Sequence, residues 1–312
     1  MKLNISTAPH IHASYSTQSI MRDVLIALLP TTVVGVYLFG LNAALHVLVG
    51  IAGAVISELL FQKIAKKNVR INDLSAAVTG LLLALNMPAA APWWVTLIGS
   101  VFAIVIVKQL FGGIGDNFLN PALAARAVLL ASWPAHMTSF TLPTMFSGAD
   151  AVSSATSLAG AEFSIMDMFL GNIPGTIGEV SKVAIILGFI YLLLRKVIGL
   201  HIPIVMLGVL AASSFIFGDG SGAFTGDPLM AVLSGGALFG AVFMATDYTT
   251  SPMTKKGQII YAAGCGLLVA VIRRYGSYSE GVTYAILIMN IVTPLIDKYV
   301  KPKRYGEVKQ NA

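Results

Sequence analysis

Residues 24–60 read VLIALLPTTVVGVYLFGLNAALHVLVGIAGAVISELL and contain a single formally charged side chain, that of Glu58. A membrane-spanning helix needs roughly 20 mostly apolar residues, so this stretch is long enough for two. The whole chain has the same character, since 56% of its 312 residues are hydrophobic and only 11% are charged. An ordinary soluble domain carries about 25% charged residues. The sequence therefore predicts an all-α polytopic membrane protein and excludes a soluble globular domain.

The same length criterion, applied along the chain, predicts about ten transmembrane helices. They are residues 23–41, 43–62, 74–88, 93–111, 118–133, 180–197, 202–217, 229–246, 258–273 and 281–297. This pattern divides the chain into five parts, which are an N-terminal arm (1–22), a first five-helix repeat (23–133), a long outer loop (134–179), a second five-helix repeat (180–297) and a basic tail (298–312).

The distribution of basic residues predicts the orientation of the chain. Sixteen of the twenty Lys and Arg residues fall in the alternate segments that share a side with the N-terminus, while the loop 134–179 has acidic residues and no basic ones. Cytoplasmic loops carry the excess of Lys and Arg, so both termini are predicted to be cytoplasmic. The exceptions are Lys182, Arg126, Arg273 and Arg274. Because the net charge of +6 follows topology, we predict lipid bilayer contact and no nucleic-acid partner.

The two halves of the chain resemble each other weakly. Around residues 103–125 and 267–289 the alignment pairs Lys108 with Arg273 and Asp116 with Glu280, and residues 73–88 parallel residues 227–252. Because each half holds an odd number of predicted spans, the second half would be inverted relative to the first. Inverted repeats place binding sites near the midplane, where the repeats meet. The alternative is that two unrelated hydrophobic halves look alike.

The outer loop contains the small, hydroxyl-rich stretch SGADAVSSATS at residues 147–157, whose composition alone is typical of an ordinary Ser/Thr-rich loop. Within it, Asp150, Ser153, Ser154, Ala155 and Thr156 resemble the flavin-transferase acceptor motif D-x-x-[ST]-[GS]-A-[ST]. That enzyme attaches FMN through its phosphate to the final hydroxyl. The resemblance implies that Thr156 carries covalent FMN as a phosphoester. Ser154 stands where glycine is commoner.

Three further stretches carry a wider resemblance. They are GGIGDNFLNPA at residues 112–122, FMATD at 243–247 running on to TSP at 250–252, and YGSYSEGV at 275–282 continuing to NIVTPLID at 290–297. Together with the acceptor motif, they make the chain similar to the NqrB/RnfD family over essentially its whole length. The short N-terminal arm is more typical of the Rnf branch than of the Na+-pumping NADH:quinone reductase branch.

The resemblance implies a flavin-carrying subunit of a translocase in the bacterial cell (inner) membrane. Such a complex couples electron transfer between ferredoxin and NAD+ to translocation of Na+ or H+. The implied cofactors are covalent FMN and a non-covalent riboflavin within the helix bundle. The implied partners are NAD-binding, iron–sulfur and second flavinylated Rnf-type subunits, together with a flavin transferase. The single cysteine, Cys265, excludes an iron–sulfur cluster ligated by this chain alone.

Three residues inside predicted spans are candidate flavin contacts. Asn117 and Asn120, with Pro121, would begin a helix within the membrane and present free backbone N–H groups to a ligand. A capped helix without a ligand explains them equally well. Arg126 is an intramembrane cation, and such residues mark either a site or an ion pair with an acid. No catalytic residue and no metal-ligand spacing is predicted.

Two interpretations remain open for acidic residues and for the overall function. Asp247 and Glu280 flank predicted spans, where they are either ion-pathway acids or solvated helix-end charges. The alternative function is that of a cofactor-free secondary transporter or channel, since inverted repeats recur among such proteins. Neither transporters nor channels need a flavin acceptor motif.

Overall fold

The computed structural model describes residues 16–143, 163–218, 222–276 and 280–301. Apart from turns, loops and one isolated β-bridge between Pro88 and Thr176, these residues form helices. The α-helices are α1 Thr17–Phe39, α2 Leu41–Ile64, α3 Ser75–Leu85, α4 Trp93–Val101, α5 Pro121–Ser132, α6 Pro134–Met137, α7 Ile165–Leu170, α8 Lys182–Leu194, α9 His201–Phe217, α10 Pro228–Leu233, α11 Ala237–Phe239, α12 Lys255–Tyr275 and α13 Val282–Tyr299. Two π-helical segments, π1 (Phe102–Gln109) and π2 (Gly240–Met244), continue α4 and α11.

The prediction of an all-helical membrane protein is confirmed at this level. Every predicted span contains helix, and three helices, α1, α2 and α12, are long and apolar enough to cross a membrane. The number of crossings and the inverted arrangement stay predictions. The predicted span 229–246 is not one helix, because Ser234, Gly235 and Gly236 interrupt it between α10 and α11, with Gly235 at φ 58°.

Several helices begin at a residue whose side chain accepts from free N–H groups of the first turn. Ser16 forms a capping box with Ser19 at α1, Asn120 caps α5 ahead of Pro121, and Thr254 caps α12. Glycines then bring helices into close contact, as in membrane bundles. A Cβ placed on Gly50 of α2 would lie 2.6 Å from the carbonyl oxygen of Gly80 in α3, so these backbones touch.

Part of the predicted outer loop lies inside the bundle. Residues 173–181 are buried, and they run beside the chain that follows α3. The backbone N–H of Ile177 donates to the carbonyl oxygen of Met87 at 3.1 Å, and that of Gly178 donates to Leu85 at 2.7 Å. This buried segment therefore satisfies carbonyls left free where α3 ends, which is a tertiary pairing that hydropathy does not encode.

Two ends of the bundle can be distinguished from the contacts of α1 and α8. Arg195, just after α8, forms an ion pair with Asp23 in the first turns of α1, with Nε and Oδ2 3.2 Å apart. We call this the near end. The first residue of α8 lies about 20 Å away along the helix axis, and we call that the far end.

Candidate functional site

A cleft opens at the near end, among α1, α3, the loop before α5 and the chain that follows π2. Its volume, including its mouth, is about 780 Å³. The walls are mostly apolar and include Met21, Val24, Val78, Leu82 and Phe243. The polar residues at its edge are Ser75, Lys108, Asn117, Asn120, Asp247 and Thr249. Small-molecule sites commonly combine apolar walls with a few placed polar groups.

Asn120 connects the start of α5 with the chain after π2. Its Oδ1 accepts hydrogen bonds from the N–H groups of Ala122 at 3.1 Å and Leu123 at 3.2 Å. Its Nδ2 donates to Oδ2 of Asp247 at 3.3 Å. A helix does begin at Pro121 as predicted. The expectation that its first N–H groups are free for a ligand is wrong for Ala122 and Leu123, because Asn120 itself accepts from both.

Asn117 and Asp247 belong to the same polar edge. The Asn117 Nδ2 donates to the carbonyl oxygen of Leu119 at 3.0 Å and to Oγ1 of Thr249 at 3.4 Å. Asp247 accepts from the N–H of Thr249 at 3.1 Å and from its hydroxyl at 2.9 Å. Asp247 is thus fixed within the cleft edge and is not a solvated helix-end charge.

Beside the cleft lies a buried ion pair. The Lys108 Nζ is 2.8 Å from Oε1 of Glu58, and the two side chains are 3% and 1% exposed. Lys108 also donates to Oγ of Ser75 at 2.6 Å, while Gln109 Nε2 donates to Glu58 Oε1 at 2.5 Å. The charge pattern of the sequence groups Lys108 with the basic residues of the inner segments. In the structure it is buried in π1 and lines the cleft at the near end.

Arg126 does not line this cleft. Its Nη1 donates to Oδ1 of Asn86 at 2.8 Å, and its Nη2 forms an ion pair with Oε2 of Glu280. The structure therefore contains the ion pair that the sequence left as one alternative. Glu280 is correspondingly not a solvated helix-end charge, because its side chain is only 14% exposed. A flavin contact by Arg126 stays a prediction.

Around Arg126 and Glu280 the far end holds further charges that the sequence pattern did not assign to a site. Glu179 lies in the buried segment 173–181 and Lys182 begins α8, where it is also buried, whereas Arg273 lies near the end of α12 and is partly buried. The sequence marked several of these charges as unusual. Lys182 and Arg273 are exceptions to the distribution of basic residues, and Glu58 of the near-end ion pair is the one charged side chain in residues 24–60. An ionisable residue within a span is a site hypothesis by default.

The acceptor motif of Asp150, Ser153, Ser154, Ala155 and Thr156 lies outside the described residues. The covalent flavin on Thr156 therefore stays a prediction.

The cleft can be compared with riboflavin, the non-covalent cofactor that the resemblance implies. A flavin ring is planar and largely apolar, with nitrogen and oxygen atoms along its polar edge. The apolar walls and the amides of Asn117 and Asn120 at one edge fit such a group.

Comparison with known proteins gives matches over the whole chain. The model of the NQR2, RnfD, RnfE family matches residues 4–306. A relative from Acetobacterium woodii, the D subunit of a Na(+)-translocating ferredoxin:NAD(+) oxidoreductase complex, is 48% identical, and the match covers 99% of this chain and 97% of the relative. The D subunit of the proton-translocating ferredoxin:NAD(+) oxidoreductase complex of Clostridium ljungdahlii is 43% identical, with 97% and 96% covered. The D subunit of an ion-translocating oxidoreductase complex of Halorhodospira halophila is 36% identical, with 97% and 96% covered.

Proposed function

The chain belongs to the NQR2, RnfD, RnfE family, and from that premise we propose that it is the D subunit of an ion-translocating ferredoxin:NAD+ oxidoreductase complex. The observation that carries this proposal is the end-to-end match to proteins of that name. One relative is named for Na+ and the other for protons, so the proposal includes either ion. The remaining reaction centres belong to partner subunits that bind NAD and hold iron–sulfur clusters, and to a second flavinylated subunit.

We further propose ten membrane crossings in a bacterial cell (inner) membrane, with the near end and both termini cytoplasmic. Basic residues close to the near-end helix termini support this orientation, among them Lys63, Lys196, Lys255 and Lys298. The contacts of the aligned residues Lys108 and Arg273 support the inverted repeat. Lys108 binds the first residue of α3, and Arg273 binds carbonyl groups of α10, which is the corresponding element of the second half.

The cleft is our proposed site for a non-covalent flavin such as riboflavin. When bound, a flavin accepts and donates electrons one or two at a time. The chain's own residues would hold it, with apolar contacts from Met21, Val24 and Phe243 and polar contacts from Asn117 and Asn120. The charge of the buried Lys108 beside them is balanced by Glu58, and the apolar walls exclude water.

Thr156 is our proposed attachment site for covalent FMN, which a flavin transferase would supply. The neighbouring Ser153, Ser154 and Ala155 have small side chains, as the acceptor motif requires. The order of the motif supports this choice of hydroxyl, since the acceptor stands at its last position. Ser157 follows directly and offers a matched hydroxyl outside the motif.

The flavin proposal is tested by ultraviolet in-gel fluorescence of the denatured chain after co-expression with a flavin transferase. We expect fluorescence in the parent and in S157A, and none in T156A. Fluorescence that persists in T156A, or none in the parent, would overturn the attachment site. Flavin released on denaturation of T156A tests the cleft, since the non-covalent flavin should still be present. Its absence would remove the cleft from the proposal.

The assignment to the complex is tested in membrane vesicles from cells that lack this chain. We expect loss of ferredoxin-dependent NAD+ reduction and of the ion uptake that accompanies it, with both restored by the parent chain. Unchanged reduction and uptake in the deletion strain would contradict the assignment.

A further inference from the structure

Two glutamates of the far end lie next to each other inside the bundle. Glu179 is 3% exposed and Glu280 is 14% exposed at its side chain. A Cβ placed on Gly236 would lie 2.9 Å from Oε2 of Glu179 and 3.8 Å from Oε1 of Glu280, so both carboxyl groups reach the same point. Two carboxylates this close together repel each other unless one of them carries a proton.

The hydrogen-bond donors around the two glutamates are unequally shared. Glu280 accepts from Arg126 and from the N–H of Gly236 at 3.3 Å. Glu179 accepts from the N–H of Thr176 at 3.0 Å through Oε1, while its buried Oε2 has no donor among the described residues. An ionised carboxylate with a buried, unsatisfied oxygen is costly, and protonation turns that oxygen into a donor.

The charged side chains that face the pair from the packed elements are Arg126 of α5, Lys182 of α8 and Arg273 of α12. Lys182 donates to the carbonyl oxygens of Glu179 at 2.5 Å and Gly235 at 3.3 Å. Arg273 donates to those of Ala231 at 2.5 Å and Ser234 at 2.9 Å. The end of α10 and the interruption after it leave the carbonyls of Ala231, Ser234 and Gly235 free, and the two cations satisfy them. Arg126 is thus the one cation that contacts a carboxylate of the pair within the described residues.

We propose that Glu179 and Glu280 form a proton-binding pair that shares one proton at the far end of the bundle. Glu280, the more exposed member, takes the proton from water, and Oε2 of Glu179 holds it between the two carboxyl groups. Release returns the proton to water by the same route, and no electron moves. Like-charged carboxylates in contact commonly share a proton in this way. Proton binding by the pair does not depend on the proposed function. The proposed function is needed only to say that an ion-translocating complex uses this proton.

The first test is infrared difference spectroscopy of the purified complex as a function of pH, with H2O exchanged for D2O. A protonated carboxyl group gives a C=O band that is sensitive to deuterium, and we expect this band in the parent. It should be lost in E179Q and lost or shifted in E280Q. E58Q is the matched control, because Glu58 is equally buried but faces Lys108, and its removal should leave the band unchanged.

The second test needs no variant and covers the case in which E179Q does not assemble. Dicyclohexylcarbodiimide reacts with protonated carboxyl groups in apolar surroundings, and peptide mass spectrometry locates the adduct. We expect label on Glu179 or Glu280 and none on Glu58. A band that survives in E179Q, or labelling of Glu58 without the pair, would overturn the proposal. Both readouts are made without turnover, whereas failure of the proposed function would appear as missing flavin or missing NAD+ reduction.

Discussion

At the near end Glu58 and Lys108 form a one-to-one ion pair, whereas at the far end only Glu280 of the two adjacent acids contacts a cation, the guanidinium of Arg126. Both ends contain a glutamate oxygen without a donor among the described residues, Oε2 of Glu58 and Oε2 of Glu179. The difference lies in the neighbours, because Glu58 has an ammonium at 2.8 Å and Glu179 has a second acid.

The near-end pair is a fixed charge pair, whereas the far-end pair of acids can change its charge by binding a proton. A buried pair with balanced charges loses much of its stabilisation when either partner changes protonation, since the other is left alone in a medium of low polarity. Two adjacent acids of which only one contacts a cation have a lower-cost alternative, which is to bind a proton. Burial alone therefore does not identify an ion-carrying residue. The balance of contacts around it does.

The largest effect is expected from removal of Lys108. K108M leaves Glu58 buried without its cation, and breaking such a pair costs about 3–5 kcal/mol. We expect a strongly lowered thermal unfolding midpoint of the detergent-solubilised complex, measured by the fraction that stays monodisperse in gel filtration. The double variant E58Q/K108M removes both charges and should recover most of the loss. If it is as unstable as K108M, the ion pair is not the cause.

A smaller effect is expected from R126Q, although Arg126 is also buried. Removal of the guanidinium leaves two adjacent carboxyl groups, which can lower the cost by keeping a proton between them. We expect a loss of about 1–3 kcal/mol in the same unfolding assay, which is the typical cost of leaving buried polar groups unpaired. The loss should grow as the pH is raised, because the remaining proton is then removed. A loss equal to that of K108M, and independent of pH, would show that the far end is as fixed as the near end.

The positions of the helices could be read from the sequence because each needs a long apolar run, as in residues 24–60. The burial of residues 173–181 could not, since it depends on pairing with distant backbone such as that of Met87. Of the candidate site, Asn120 was predictable as a helix start, because Asn followed by Pro is a local capping signal.

The two buried charge clusters could not be predicted either, because their members lie far apart in the sequence. Glu58 and Lys108 are 50 positions apart, and Glu179 and Glu280 are 101 apart, so no local spacing connects them. Hydropathy marked Glu58 as unusual, and topology marked Lys182 and Arg273 as exceptions. Only the packing of α2 against π1, and of α5 against the chain before α13, shows which acid meets which cation.

The smallest effect is expected at the near-end ion pair between Asp23 and Arg195. The Asp23 side chain is 5% exposed, but that of Arg195 is 47% exposed, so water already screens the cation. D23N keeps an oxygen that can accept from the Tyr191 hydroxyl, which lies 3.2 Å from Oδ1 of Asp23. Pairs with one exposed partner contribute about 0–1 kcal/mol, so D23N should change the unfolding midpoint little, and less at high salt. A loss comparable to that of K108M would mean that exposure of one partner does not distinguish weak pairs from strong ones in this bundle. The contrast between the two ends would then have to be explained by position along the membrane normal, and no longer by the balance of charges.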